Sequence, residues 1–159
     1  MNPSLLYENN HFIIEHSMKY HIPGYLFVSP KVKVYSLSEL SDEALVCLGT
    51  TLSIAVKAVE IIIKPINVYC SKFGESGSPL HFHIFPRTQW ITELYKGRFN
   101  DKNLISGPIL LDWAIDRFGK GQAIVDKELE IQEVLVEMKD YFDKLISKNN
   151  SLKVPPGHT

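Results

Sequence analysis

The sequence predicts an α+β fold: an antiparallel sheet of about five strands with one long helix packed on it, followed by C-terminal helices. Three observations lead there. Apolar runs of strand length fall into two groups, one before residue 36 and one between 67 and 87. A single long stretch of helical spacing separates the groups, and the connections are short and rich in turn residues. Strand runs parted by one helix favour an antiparallel sheet over a doubly wound one.

Each element has its own signal. Leu5-Leu6-Tyr7 and Phe12-Ile13-Ile14 flank Asn9-Asn10, two residues that tolerate positive φ, so the pair forms a hairpin. Pro23-Gly24 marks a turn into the strand Tyr25-Leu26-Phe27-Val28, which Ser29-Pro30 ends. Val32, Val34 and Tyr35 continue an extended path. Ser41 can cap a helix whose first residues, Asp42 and Glu43, face the positive end of its dipole. Ala44, Leu45, Leu48, Leu52, Ala55, Val56, Val59 and Ile63 then recur at helical spacing until Pro65. Residues 67–73 alternate as a strand, and Gly74-Glu75-Ser76-Gly77-Ser78-Pro79 is a small-residue loop before the strand from Leu80 to Arg87.

Past Trp90 the pattern changes. Residues 108–118 form a helix with Leu111, Trp113, Ile115 and Phe118 inward and Gly119 closing it. Residues 126–147 form another, burying Leu129, Ile131, Val134, Leu135, Met138, Tyr141, Phe142 and Leu145. Residues 149–159 read as a frayed end. We therefore divide the chain into a core, 1–95, and a helical extension, 96–159, packed on the same single domain.

Composition narrows the function. The 159 residues suit one domain, and 45% hydrophobic with 22% charged residues is ordinary for a soluble protein. A net charge of -1 excludes a broad electrostatic surface for nucleic acid but leaves room for a small phosphate pocket. Cys47 and Cys70 form no CxxC motif and are too few for a disulfide framework, so reduced thiols in the cytoplasm are expected. The N-terminus shows no basic region followed by a long apolar run, so no signal peptide is expected. The apolar stretch 56–63 is interrupted by Lys57 and Glu60 and reads as too short and too charged to span a bilayer, so no membrane partner is expected.

The chemistry sits on the last strand. Side chains alternate in an extended strand, so Leu80, Phe82 and Ile84 point to the core while His81 and His83 lie side by side on the other face. Gly74 and Gly77 permit close backbone approach to a ligand, Ser76 and Ser78 add hydroxyl donors, and loop N–H groups can cradle an anion. A phosphate suits such a pocket: one imidazole attacks phosphorus and the other orients it. Three other readings stay open, the first that Gly74 to Pro79 is an ordinary hairpin loop. The histidines can be partly buried sheet residues with no chemistry. The HxH pair can hold a metal with His11, His16, His21 or Cys70, although Arg87 would repel a cation.

Pro79-Leu80-His81-Phe82-His83-Ile84-Phe85-Pro86-Arg87 resembles the active-site strand of the histidine triad (HIT) superfamily, which carries three alternating histidines. Leu6-Tyr7-Glu8-Asn9-Asn10-His11-Phe12-Ile13-Ile14 is similar to the family's opening hairpin. Pro23-Gly24-Tyr25-Leu26-Phe27-Val28-Ser29-Pro30-Lys31 is similar to its second motif, and Ser36-Leu37-Ser38-Glu39-Leu40-Ser41-Asp42-Glu43 to the lead into its long helix. The match spans roughly residues 5–90. Pro79 stands at the first triad position, Tyr25 where histidine is usual, and Glu75 where glutamine is common.

The resemblance implies a HIT-like sheet, a homodimer and a bound nucleotide, with no cofactor and no metal. It implies hydrolysis or nucleotidyl transfer at the α-phosphate of dinucleoside polyphosphates or nucleoside phosphoramidates. His81 would be the nucleophile and His83 the third histidine supporting it. Ser76, Glu75, Tyr25, Ser17 and Ser78 would line the substrate site, Ser76 near the phosphate, Ser17 near the ribose, and Tyr25 orienting an imidazole. The departures also keep open a nucleotide-binding protein of impaired activity. Trp90, Tyr95, Phe99 and Trp113 are expected as core aromatics, or else as stacking surfaces for a base or a partner subunit.

Overall fold

The computed structural model describes residues 3–74, 77–99, 105–119 and 125–151. Strands Leu5–Glu8 (β1), Phe12–His16 (β2), Leu26–Pro30 (β3), Asn67–Ser71 (β4) and Phe82–Arg87 (β5) form one antiparallel sheet in the order β1-β2-β3-β5-β4. The described helices are Asp42–Ile62 (α1), Gln89–Phe99 (α2), Gly107–Gly119 (α3) and Val125–Ser151 (α4), with a 3-10 turn at Leu37–Glu39. The predicted α+β class with a five-stranded antiparallel sheet is what the chain adopts.

Local chemistry sets the connections. Asn9 closes the first hairpin by accepting the N–H groups of His11 and Phe12 at 2.9 and 2.8 Å. Its amide nitrogen also donates to Thr51 Oγ1 at 3.0 Å, which ties the hairpin to α1. The β2–β3 turn needs Gly24: its φ is +77°, and a Cβ there would lie 2.3 Å from Ile63 Cγ1. Ser41 Oγ caps α1 by accepting Ala44 N–H at 3.3 Å. α1 carries the chain to the far edge of the sheet, where β4 forms, and β5 returns between β4 and β3. Pro86 sits beyond the residues of β5 that pair with β3, so its missing N–H breaks no ladder there.

Both faces of the sheet are covered. Phe12, Ile14, Leu26, Val28, Phe82 and Ile84 pack against Ala55, Ala58 and Val59 of α1 and against Ile131, Leu135, Met138 and Phe142 of α4. On the opposite face Tyr25 and Phe85 join Ile91 and Tyr95 of α2 and Leu110, Leu111, Ala114 and Phe118 of α3 in a second core.

Several expectations need correcting. Val32, Val34 and Tyr35 form no strand; the segment bends, held by Leu80 N–H donating to Val34 O at 2.7 Å. Leu45 and Leu129, expected inward, are exposed, because the helix faces buried here are narrower than the apolar stripes of the sequence. Helix α2 is absent from the sequence reading and runs across the boundary at 95. It is short, polar on average and interrupted by Gly97, so its periodicity is weak. Helix α4 continues through Ser151, and residues 152–159 lie outside the described set. By length and composition α1 is apolar enough to cross a membrane, contrary to the estimate made on residues 56–63 alone. In this fold it packs on the sheet through Ala55, Ala58 and Val59.

Candidate functional site

The strand expected from Leu80 begins at Phe82, so His81 lies just before β5 and His83 on it; both face the cavity walled by α3, while Leu80, Phe82 and Ile84 fill the core on the α1 side. The two imidazole centroids are 4.8 Å apart. Phe27 meets both rings edge-on at 5.5 and 5.1 Å, and Phe73 meets His83 at 5.3 Å. They open on a cavity of about 290 Å³ lined also by Tyr20, Ser78, Pro108, Leu111, Asp112 and Ile115. The volume is at the small end for a ligand site. A larger cavity, about 480 Å³, lies by Met18, His21 and α4 and shares no lining residue with the first. The paired imidazoles line the smaller cavity and not the larger.

The hydrogen bonds set the proton positions. His81 Nδ1 lies 2.9 Å from the carbonyl oxygen of Pro79. A carbonyl only accepts, so Nδ1 carries the proton and neutral His81 keeps its lone pair on Nε2. Tyr25, fully buried, has its hydroxyl 2.6 Å from His83 Nδ1. Burial, with Tyr20 beside it, pushes the Tyr25 phenol far above its ordinary range, so the hydroxyl keeps its proton. It has no other acceptor among the described residues, so it donates to His83. Burial, then the neighbouring His81, pushes His83 down to about 4. Neutral His83 therefore accepts at Nδ1 and carries N–H at Nε2.

The other expected site residues fall as follows. Ser78 lines the cavity. Tyr25 stands behind His83, outside the cavity wall. Ser17 follows the last residue of β2, is 2% exposed and lies outside the cavity lining. Glu75 and Ser76 lie outside the described residues. Trp90, Tyr95 and Trp113 belong to the second core, and Phe99 packs on Tyr95 at 4.8 Å. For the metal alternative, no three His, Cys, Asp or Glu side chains converge among the described residues. His16 is buried and accepts Gly24 N–H at 3.0 Å.

Sequence reasoning missed Tyr20, Phe73 and the α3 residues Pro108, Leu111, Asp112 and Ile115 as parts of the site. Tyr20 and Phe73 flank recognised elements and were open to suspicion as aromatics near the motif. Nothing local marks Asp112, because only the docking of α3 sets it on the wall of the cavity that His81 lines.

No family model matches the chain, and no curated protein matches it. Solved structures do. A Hit-like protein involved in cell-cycle regulation from Bartonella henselae is 18% identical, with a TM-score of 0.56 over 88% of this chain and 87% of that one. A hypothetical histidine triad nucleotide-binding protein from Sulfolobus tokodaii is 17% identical, with a TM-score of 0.55 over 86% and 84%. The diadenosine triphosphate hydrolase of Plasmodium falciparum, solved with Cyclomarin A, is 11% identical, with a TM-score of 0.58 over 91% and 79%. At these identities the likeness establishes the fold: this chain has the fold of the histidine triad proteins.

Proposed function

From a histidine triad fold with His81 and His83 beside one cavity, we propose that the protein binds a nucleotide and acts at its α-phosphate. It would do so as a hydrolase or nucleotidyl transferase on a dinucleoside polyphosphate or nucleoside phosphoramidate. The observation that carries this reading is the Pro79 carbonyl at 2.9 Å from His81 Nδ1, which leaves Nε2 free to attack.

In the proposed reaction the Nε2 lone pair forms a bond to the α-phosphorus. The bond to the leaving group breaks, and that group departs with the electron pair and takes a proton from solvent. His83 Nε2–H and the Ser78 hydroxyl stabilise charge on the phosphoryl oxygens. Water then attacks the nucleotidyl-histidine, gives up a proton to solvent, and returns the electron pair to His81. In transfer, an acceptor hydroxyl or amine replaces that water.

The test is release of AMP from adenosine phosphoramidate and diadenosine polyphosphates, followed by phosphorus NMR with a His81→Ala control. Release no greater than the control sinks the enzyme reading for these substrates. Tyr25 in place of histidine favours a second reading, a nucleotide-binding protein without turnover; calorimetric AMP binding without release would support it.

We further propose a homodimer. Helix α1 turns Leu45, Val46 and Ile61 outward, Val46 at 82% exposure, and β4 beside it is an edge strand. Apolar side chains next to an open sheet edge suit a second copy of the chain. The free thiols of Cys47 and Cys70 support a cytoplasmic setting. Residues 96–159 act in this reading as an extension on the same domain, with α3 walling the site.

A further inference from the structure

The cavity around the histidine pair has a polar wall for which the nucleophilic chemistry has no use. Asp112, exposed on the second turn of α3, lines this cavity with Tyr20, Ser78, His81 and His83. It also borders an adjoining cavity of about 290 Å³ with Lys19 and Asp116. Tyr20, Asp112 and Ile115 line both, so the two spaces border each other at the carboxylate. Among the described residues Asp112 has no ion pair and no hydrogen bond. The described lining of the histidine cavity includes no lysine or arginine. Lys19 stands on the wall of the adjoining cavity, its ammonium 5.3 Å from the Tyr20 ring centroid.

This is an unusual electrostatic setting for a phosphoryl site. A leaving group that brings further phosphates meets the Asp112 carboxylate and two imidazoles before it reaches Lys19. One that brings an ammonium meets an unpaired partner. At roughly 6 Å and an effective dielectric of roughly 40, one unit of charge on the leaving group changes its interaction with Asp112 by about tenfold in an equilibrium constant.

We propose that Asp112 is a specificity-determining residue that selects nucleotide derivatives with a cationic, amine-bearing leaving group over those with a polyphosphate leaving group. This rests on His81 being the nucleophile, as proposed above. The phosphorus lies at His81 and the leaving group runs along α3 past Asp112 into the adjoining cavity. Charge at position 112 then sets substrate preference and leaves the identity of the nucleophile untouched.

The experiment uses two adenosine phosphoramidates of equal chain length, one ending in ammonium and one in hydroxyl, with diadenosine triphosphate as third substrate. Wild type, Asp112→Asn and Asp112→Lys are compared by kcat/KM, each against a His81→Ala background. The expected wild-type preference for ammonium over hydroxyl is about tenfold. It falls toward one in Asp112→Asn and inverts in Asp112→Lys, which also gains on the triphosphate. His81-dependent turnover with the same ratios in all three proteins overturns the role of Asp112 and leaves the nucleophile standing. No His81-dependent turnover of any of the three substrates overturns both readings.

Discussion

Replacing Tyr25 by phenylalanine removes one oxygen and keeps a ring that packs on Tyr20, Phe27 and Phe85. What disappears is the 2.6 Å bond from the hydroxyl to His83 Nδ1. The nitrogen left behind is buried and has no other donor among the described residues, so the cost is that of an unsatisfied buried acceptor, about 1–3 kcal/mol. For a chain of this length that lowers Tm by about 3–10 °C. A second effect reaches the site. The hydroxyl holds His83 with its proton on Nε2; without it both neutral tautomers are accessible and the N–H aimed at the cavity is present only part of the time. We expect kcat to fall about tenfold, or ~1.4 kcal/mol of transition-state stabilisation. Long-range proton–nitrogen NMR of the imidazoles separates this from general damage. In the wild type His83 should show a single Nε2–H tautomer and His81 a single Nδ1–H tautomer. In Tyr25→Phe only His83 should become mixed, since the Pro79 bond to His81 is untouched. A variant that keeps one His83 tautomer and the wild-type Tm would refute the reasoning.

Acid should destabilise the fold through two histidines. Burial, partly offset by interaction with the Ser17 backbone carbonyl, pushes His16 down to about 4, and His83 is also near 4. The unfolded chain binds these protons near 6.5, so stability is full above that pH and is lost as pH falls toward 4. For His16 the loss reaches about 3 kcal/mol, with less from His83 because it borders the open cavity. Urea midpoints at pH 7.5, 5.5 and 4.5 check this; a constant midpoint would count against both buried imidazoles. Gly24→Ala forces a positive φ on alanine and drives Cβ into Ile63, so a loss of about 2–4 kcal/mol is expected in denaturant titration, and a loss below 0.5 kcal/mol would contradict the turn geometry. Replacing both Leu45 and Val46 by glutamate should convert a dimer to a folded monomer in sedimentation equilibrium; a dimer of undiminished affinity would place the interface elsewhere.

The sequence by itself determined the sheet and the chemical pair. Alternation along Leu80 to Ile84 placed the histidines on the face opposite the core, and the turn residues at Asn9 and Gly24 placed the first three strands. Those features are local: they depend on a two-residue period and on φ values that few residue types accept. Helix α1 was equally legible from its cap and spacing, but which of its apolar residues are buried was not, since Leu45 repeats as regularly as Ala55 and Val59 and yet is exposed. Only the tertiary structure decided that α3 closes over the histidine face. That docking buries Tyr25 where its hydroxyl meets His83 and sets Asp112 on the cavity wall. The physical reason is that these contacts join residues dozens of positions apart through side-chain packing between elements, which leaves no periodic trace along the chain.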